Sequence, residues 1–396
     1  MMNKIPKGWE VKKLGGICEI TMGQSPKGEN VFENSQSLNG LEFHQGKIYF
    51  TDKFISKSKF ITSDIRKIAE VGSILLCVRA PVGVINLTKR KIAIGRGLCA
   101  LKANNQNNNF LYYYLLGLKQ YFESKATGST FSAITLNVVK NCEIPLPPLS
   151  EQKAIADKLD DSFAKIENAM TNLINAKENL KLYKQSVLKS AFNGDLLPST
   201  SPTHWEVKKL GEICEITMGQ SPKGENVFEN SQSLNGLEFH QGKICFTDKF
   251  ISKSKFITSD IRKIAEVGSI LLCVRAPVGV INLTKRKIAI GRGLCALKAN
   301  NQNNNFLYYY LLGLKQYFES KATGSTFSAI TLNVVKNCEI PLPPLSEQNL
   351  IVTEIDRRFA IVDKTLNLID KSIQNAKNLK QSILKKAFSG ELRSEI

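Results

Sequence analysis

The sequence predicts a mixed α/β chain: two globular domains of short strands plus a helix, separated by two long helices packed as an antiparallel coiled coil. Three observations predict it. A stretch of about 144 residues, Trp9 to Gln152, returns from Trp205 to Gln348, shifted by 196 positions. The copies differ twice, Gly16 against Glu212 and Tyr49 against Cys245. Solenoid repeats run roughly 20–50 residues, so a unit this long is a whole domain carried twice. Inside it, short apolar runs are punctuated by Gly, Pro and Asn, which reads as many short strands. After each copy, apolar positions advance by threes and fours, the signature of a heptad seam.

The elements follow in order. VKKLGGICEIT (11–21) alternates enough for a strand, with a possible turn at Gly15-Gly16. MGQSPKGEN (22–30) is loop chemistry. GKIYFTDKFIS (46–56) reads as strand. VGSILLCVRAPVGVINLT (71–88) reads as two buried strands joined at Arg79-Ala80-Pro81, and KRKIAIGRGLCALKA (89–103) as a pair broken at Gly95-Arg96-Gly97. FLYYYLLGLKQYFESKA (110–126) spaces Leu111, Leu115, Leu118 and Phe122 as one helix. TGSTFSAIT (127–135) is a loop, and CEIPLPPLSEQ (142–152) a strand with a Pro-rich exit. Ser150 can then cap a helix. Its seam runs Ala156, Leu159, Phe163, Ile166, Met170, Leu173, Lys177, Leu180, Lys184, Val187, Ala191, and it ends near Asn193-Gly194.

The diverged counterpart runs from Val352 and Ile355 to Ile383 and Ala387, with Lys380 on the seam, and ends at Ser389-Gly390. About 40 residues make each helix roughly 60 Å long. The divisions are therefore 1–150, the first domain; 151–196, the central helix; 197–346, linker and second domain; and 347–396, the C-terminal helix. Lys177 and Lys184 on the seam suggest an imperfect coil or one partly covered by a partner.

Composition narrows the function. Lys and Arg total 54 against 35 Asp and Glu, a net charge of +19 over 396 residues. Such an excess favours a polyanion, because Lys and Arg displace counterions condensed on phosphates. Nucleic acid leads, since the basic residues are dispersed and no lipidation signal favours a membrane. No run of 18 apolar residues marks a transmembrane helix, and the N-terminus has no signal-peptide core. None of the nine cysteines forms CxxC, and most sit in apolar runs. They read as reduced core residues of a cytoplasmic protein. His44 and His240 have no metal-ligating partner at useful spacing and read as loop or groove residues.

Catalytic signatures are missing. There is no GxxxxGK[ST], no GxGxxG between strand and helix, no HExxH and no GxSxG. PLPP lacks the polar residue that an amino-methylation motif would place before its prolines. Asp160-Asp161 reads as a solvated helix face rather than a metal site. A binding module fits better than an enzyme, and two identical readers suit a target presenting one feature twice.

The quoted segments carry a resemblance. KKLGGICEITMGQSP (12–26), VGSILLCVRAPVGVINL (71–87), IAIGRGLCAL (92–101), FLYYYLL (110–116), GSTFSAI (128–134) and IPLPPLSEQKAIADKLD (144–160), with the helix ends LKSAFNGDL (188–196) and LKKAFSGEL (384–392), resemble the specificity subunit of type I restriction-modification systems. The resemblance implies two target recognition domains, each reading half of a split site in double-stranded DNA, and antiparallel spacer helices that bind methyltransferase subunits. It implies no cofactor on this chain: S-adenosylmethionine, ATP and magnesium belong to the methyltransferase and the restriction/translocase subunits. It implies no membrane partner. The usual pattern has two unlike domains; two near-identical ones predict a palindromic site with a non-specific gap. The alternative is a stand-alone sequence-specific DNA-binding or regulatory protein that dimerises through its coil. A recognition chain whose catalysis lies on another chain is a further possibility.

Loop residues with the right donors and acceptors are the candidate base readers: Gln24, Ser25 and Lys27; Arg79; Arg96; and Ser129, Thr130 and Ser132. Their equivalents are Gln220, Ser221 and Lys223; Arg275; Arg292; and Ser325, Thr326 and Ser328. Lys57, Lys59, Lys89, Arg90 and Lys91 are the candidate phosphate contacts, which position without specifying.

Overall fold

The computed structural model describes residues 6–33, 40–104, 106–128, 132–198, 204–229, 236–300, 303–324 and 328–392. The first copy runs β1 (Glu10–Lys13), α1 (Leu14–Ile17), β2 (Cys18–Met22), β3 (Val31–Glu33), β4 (Leu41–His44), β5 (Phe60–Thr62), β6 (Ile68–Ala69), β7 (Ile74–Cys77), β8 (Ile85–Leu87), β9 (Ile92–Ile94) and β10 (Leu98–Ala103). It continues with α2 (Asn108–Gly117), α3 (Lys119–Ser124), α4 (Leu136–Lys140) and β11 (Glu143–Leu146), and gives way to the long helix α5 (Leu149–Phe192). The second copy repeats the order from β12 (Glu206–Lys209) to β22 (Glu339–Leu342), with α6 (Leu210–Ile213), α7 (Asn304–Gly313), α8 (Lys315–Lys321) and α9 (Leu332–Lys336), and ends in α10 (Leu345–Ser389).

Several expected elements change form for local reasons. Segment 11–21 is two strands separated by the single turn α1, which puts Leu14 and Ile17, three apart, into the core together. Segment 46–56 is not a strand. A 3-10 turn at Lys47–Tyr49 leads into a stretch that crosses β8, where Ile55 N–H donates to Leu87 O and Leu87 N–H to Lys53 O, both at 2.9 Å. The helix expected over 110–126 breaks at Leu118, directly after Gly117. Asn107 caps its start, its side chain accepting from Phe110 N–H at 2.9 Å. Ser150 lies inside α5 rather than before it.

The four-stranded sheet β2-β10-β7-β8 explains the uninterrupted apolar runs. On β7, Ile74 and Leu76 belong to one core cluster and Leu75 and Cys77 to another; on β10, Cys99 and Leu101 alternate with Leu98 and Ala100 in the same way. Along Ile74–Cys77 and Leu98–Leu101 both faces are buried, so neither carries polar residues there. One face packs with Phe110, Tyr113 and Phe122 of α2 and α3. The other packs with Ile92 and Ile94 of β9, in the five-stranded sheet β3-β5-β4-β9-β6. In that sheet β4 and β9 are parallel and the remaining pairs antiparallel. All cysteines are free, and all but Cys245 are buried.

The chain divides into two compact units, residues 1–173 with 370–396, and 174–369. Each unit holds one domain, the beginning of one long helix and the end of the other. In the first unit, Ile155, Leu159 and Phe163 of α5 share a core with Leu384, Ala387 and Leu392, while Lys380 Nζ lies 2.8 Å from Glu167 and over the Phe163 ring. In the second, Val187, Leu188 and Ala191 share a core with Ile351, Val352 and Ile355, and Lys184 lies over Phe359 and pairs with Asp363. Within each unit the helix segments therefore run antiparallel. All the seam positions are buried or half-buried, and Lys184 and Lys380 on the seam are accommodated by an aromatic face and an acidic partner.

The domains are footed on the helices by matching contacts. Trp9 Nε1 donates to Glu151 at 3.1 Å, and Trp205 Nε1 to Glu347 at 3.0 Å. Asp160, read from sequence as a solvated carboxylate, instead accepts from Tyr113 OH at 2.5 Å and pairs with Lys53; Asp356 likewise takes Tyr309 OH and Lys249. Replacing Asp160 with Ala strands a phenol and an ammonium at a half-buried position. The expected loss is about 1–2 kcal/mol, a drop in Tm of roughly 2–6 °C. An unchanged thermal transition would refute this footing.

Candidate DNA interface

Register decides which loops meet. Strands β7 and β10 are antiparallel, with Cys77 opposite Leu98. The loop leaving β7 and the loop entering β10 therefore share one end of the sheet, which brings Arg79 and Arg96 together. The Ala80–Pro81 peptide in the first loop is cis. Ser132 joins there, its carbonyl accepting from Ala80 N–H at 3.1 Å. The corner Gly95-Arg96-Gly97 also fixes two further loops. A Cβ on Gly97 would lie 2.2 Å from Gln45 O, and one on Gly23 would lie 2.2 Å from Gly95 O. Only glycine permits such approaches. Gln24 N–H donates to Ile94 O at 3.1 Å, which locks the third loop.

The result is an open cleft of about 190 Å³ whose lining includes Gln45, Lys47, Arg79 and Arg96. Arg79 and Arg96 are exposed, and among the described residues neither has an acidic partner. The second copy builds the same corner: a Cβ on Gly293 would lie 2.2 Å from Gln241 O, and Ala276 N–H donates to Ser328 O at 3.1 Å. Arg275 and Arg292 are again exposed.

The other candidates fall into four groups. Gln24, Lys27, Ser132, Gln220, Lys223 and Ser328 are exposed at or beside the loops just described. Lys57, Lys59, Lys89 and Lys91 are exposed farther along the domain; Lys59 lies over Phe60, Lys89 over Phe54, and Lys91 pairs with Glu70 at 3.0 Å. Ser25 and Ser221 reach nothing outside, since each Oγ is enclosed. Arg90 also faces inward: its guanidinium donates to both oxygens of Glu42 and to the carbonyls of Ile55 and Ser56. Ser129, Thr130, Ser325 and Thr326 lie outside the described residues. Sequence reasoning missed Gln45 and Lys47. Lys47 sits in the segment 46–56 that reads as strand and Gln45 just before it, and Gly46 was the one hint of a turn.

Residues 6–176 and 202–376 each match the type I restriction modification DNA specificity domain. The chain belongs to the type I restriction-modification DNA specificity family. It is 28% identical to the putative type I restriction enzyme MjaX specificity subunit of Methanocaldococcus jannaschii, over 99% of this chain and 95% of that protein. It is 28% identical to the EcoKI specificity subunit of Escherichia coli K12, over 99% and 91%. Among solved structures, a chain from a study of type I restriction-modification complex assembly and conformational transition aligns with a TM-score of 0.82 at 30% identity, covering 98% of this chain and all of that one. The HsdS subunit of Thermoanaerobacter tengcongensis aligns at 0.62 and 28%, covering 98% and 99%.

Behind the cleft of this specificity chain lies a buried charge network. Burial alone would raise the Glu42 pKa. Hydrogen bonds from Arg90, from Ser58 N–H at 2.6 Å and from His44 outweigh it and bring the carboxyl to about 2. His44, read from sequence as a loop or groove residue, is a fully buried strand residue. Burial lowers its pKa, opposed by Glu42. With Glu42 ionised, Nε2 at 2.8 Å must carry the proton. Glu238, His240 and Arg286 repeat the network, and Glu238 also falls to about 2.

The pH dependence follows. Each histidine pKa is depressed below 6.5, so the unfolded chain takes up protons that the folded chain refuses, and stability falls as pH drops below about 6.5. Each glutamate adds stability that is complete above 4.5 and is lost towards pH 2. Denaturant midpoints measured against pH should show both declines. Paired Glu42→Gln and Glu238→Gln changes should shrink the one below pH 4.5, and an unaltered acid limb would sink the assignment.

Proposed function

We propose that this chain is the DNA sequence-specificity subunit of a type I restriction-modification complex and has no catalytic centre of its own. Each sheet-rich domain is a target recognition domain that reads one half of a bipartite site in double-stranded DNA. One observation carries the reading: the exposed basic cleft of Lys47, Arg79 and Arg96 recurs residue for residue as Lys243, Arg275 and Arg292. Arginines with no acidic partner among the described residues suit bidentate recognition of guanine edges in the major groove. The exposed lysines at 27, 57, 59, 89 and 91 suit phosphates, and the net charge of +19 supports a polyanionic partner.

Like readers select like half-sites, so the target is a gapped palindrome whose gap is set by the spacer helices. Within the second unit, Ile174, Leu182 and Tyr183 on α5 and Ile361 and Leu368 on α10 stay exposed. Apolar surface of this kind on a helix pair supports docking of methyltransferase subunits. Those subunits bring S-adenosylmethionine, and restriction/translocase subunits bring ATP and magnesium. No helix among the described residues is long and apolar enough to cross a membrane; the chain works where the DNA is, in the cytoplasm.

Co-expression with a cognate methyltransferase, followed by single-molecule mapping of methylated adenine, should return a gapped palindrome. A gapped asymmetric motif refutes the equivalence of the two readers. Site-specific binding by the chain alone, with no methylation, favours a stand-alone regulator. Leu182→Glu combined with Leu368→Glu should abolish co-purification of the methyltransferase while helical circular dichroism is retained; undiminished co-purification rules out this docking face.

A further inference from the structure

Beside the arginine cleft stands an apolar residue that the fold does not use. Ile48 is 87% exposed and Ile244 is 97% exposed, the two highest values among the large hydrophobic residues described. A single exposed isoleucine is ordinary. This one is built into a rigid place, twice. It occupies the centre of the 3-10 turn Lys47–Tyr49, directly after Lys47, which lines the cleft with Arg79 and Arg96. The turn is closed by Phe50 N–H donating to Lys47 O at 2.9 Å, and Tyr49 O accepts from Ser56 N–H at 2.8 Å and from Ser56 Oγ at 2.9 Å. Upstream, the Gln45 backbone is pinned against Gly97.

We propose that Ile48 and Ile244 are specificity-determining residues that make an apolar contact with the C5-methyl group of a thymine in each half-site. The proposal rests on the reading of the clefts as DNA readers. In the major groove only thymine offers a methyl group, and an aliphatic side chain held among cationic donors is the group that recognises it. Lys47 and the two arginines supply the charge complementarity that seats the duplex. Fixed backbone on both sides means that little order is lost on binding.

The copies are not equally braced. Tyr49 stands edge-on to His44 at 5.3 Å, and its hydroxyl accepts from Lys59 N–H at 3.2 Å, which ties the turn to the residue that leads into β5. Cys245 supplies neither contact, and His240 becomes 3% exposed where His44 is fully covered. The first domain therefore discriminates more sharply at this base pair than the second.

The test uses the chain assembled with its methyltransferase and duplexes of the mapped motif in which thymines are replaced one at a time by deoxyuridine, which lacks the methyl group. A replacement in either half-site should slow methylation by the unaltered complex about fourfold, as expected for one buried methyl group, and replacements in both together about sixteenfold. Ile48→Ala with Ile244→Ala should treat thymine and deoxyuridine alike at those positions. Both residues are exposed, so these variants should fold. Cys245→Tyr should sharpen the discrimination and Tyr49→Cys should blunt it. Variants that still discriminate, or a parent complex indifferent to every replacement, overturn the proposal while leaving the specificity reading intact. Variants that lose the methyltransferase instead of the discrimination also overturn it, because the residue then serves a protein contact. Absence of any methylated motif overturns both readings.

Discussion

A pair of strands with no solvent face governs this structure. Because β7 and β10 are covered on both sides, every residue from Ile74 to Val78 and from Leu98 to Leu101 must be apolar or small, whatever its parity. Polar and charged groups are displaced to the strand ends. Since the two strands are antiparallel neighbours with Cys77 opposite Leu98, the displaced groups of both collect at a common edge. Sixteen residues of sequence separate Arg79 from Arg96, and one row of backbone hydrogen bonds removes that separation. The cleft is thus a by-product of core packing, and it is rigid for the same reason that the core is rigid.

How much of this could be read beforehand depended on how local its cause was. The buried strands, the long helices and their glycine ends were legible, because each is announced by a continuous apolar run, a heptad spacing or a Gly at the required place. Gly194 and Gly390 do end their helices with φ of +81° and +82°. Strands β3 to β6 were not legible. They are two to four residues long and owe their extended form to neighbours distant in sequence. Arg90 shows the same limit. Its sequence context, KRK, reads as a phosphate-binding cluster, yet Glu42, far back in the chain, turns its guanidinium inward. Arg79 and Arg96 lie in Gly- and Pro-marked loops, and those marks did identify exposed corners. Lys47 lay in a segment, 46–56, that reads as strand, and Gln45 directly before it, so a three-residue turn went unseen.

Glycine and carboxylate do unlike work here. Gly23, Gly95 and Gly97 let loop backbones touch and so position the reading edge. Glu42 and Glu238 hold the inner side of that edge by neutralising a half-buried arginine. A partner removed from such a half-buried set leaves the other groups unsatisfied, which is why the network is costly to disturb even though its net contribution is modest.

The two long helices have drifted apart while the domains they carry have not, and the drift has a pattern. Aligned without gaps, the positions at which α5 and α10 still agree include Ile155 and Ile351, Asp160 and Asp356, Phe163 and Phe359, Lys184 and Lys380, and Phe192 and Phe388. These are the residues that touch a domain or brace the partner helix: Phe192 stands 5.2 Å from Phe306, Phe388 5.2 Å from Phe110, and Asp160 and Asp356 take the tyrosines. The identities fall in the two end segments, 149–164 and 179–192, with none from 165 to 178, and the buried ones among them trace a footprint. Between the footprints the helices carry only the demand for an apolar seam, which many residues meet. Scaffold and reader are joined by a small standard fitting: either can be rewritten without the other, so long as the fitting is kept.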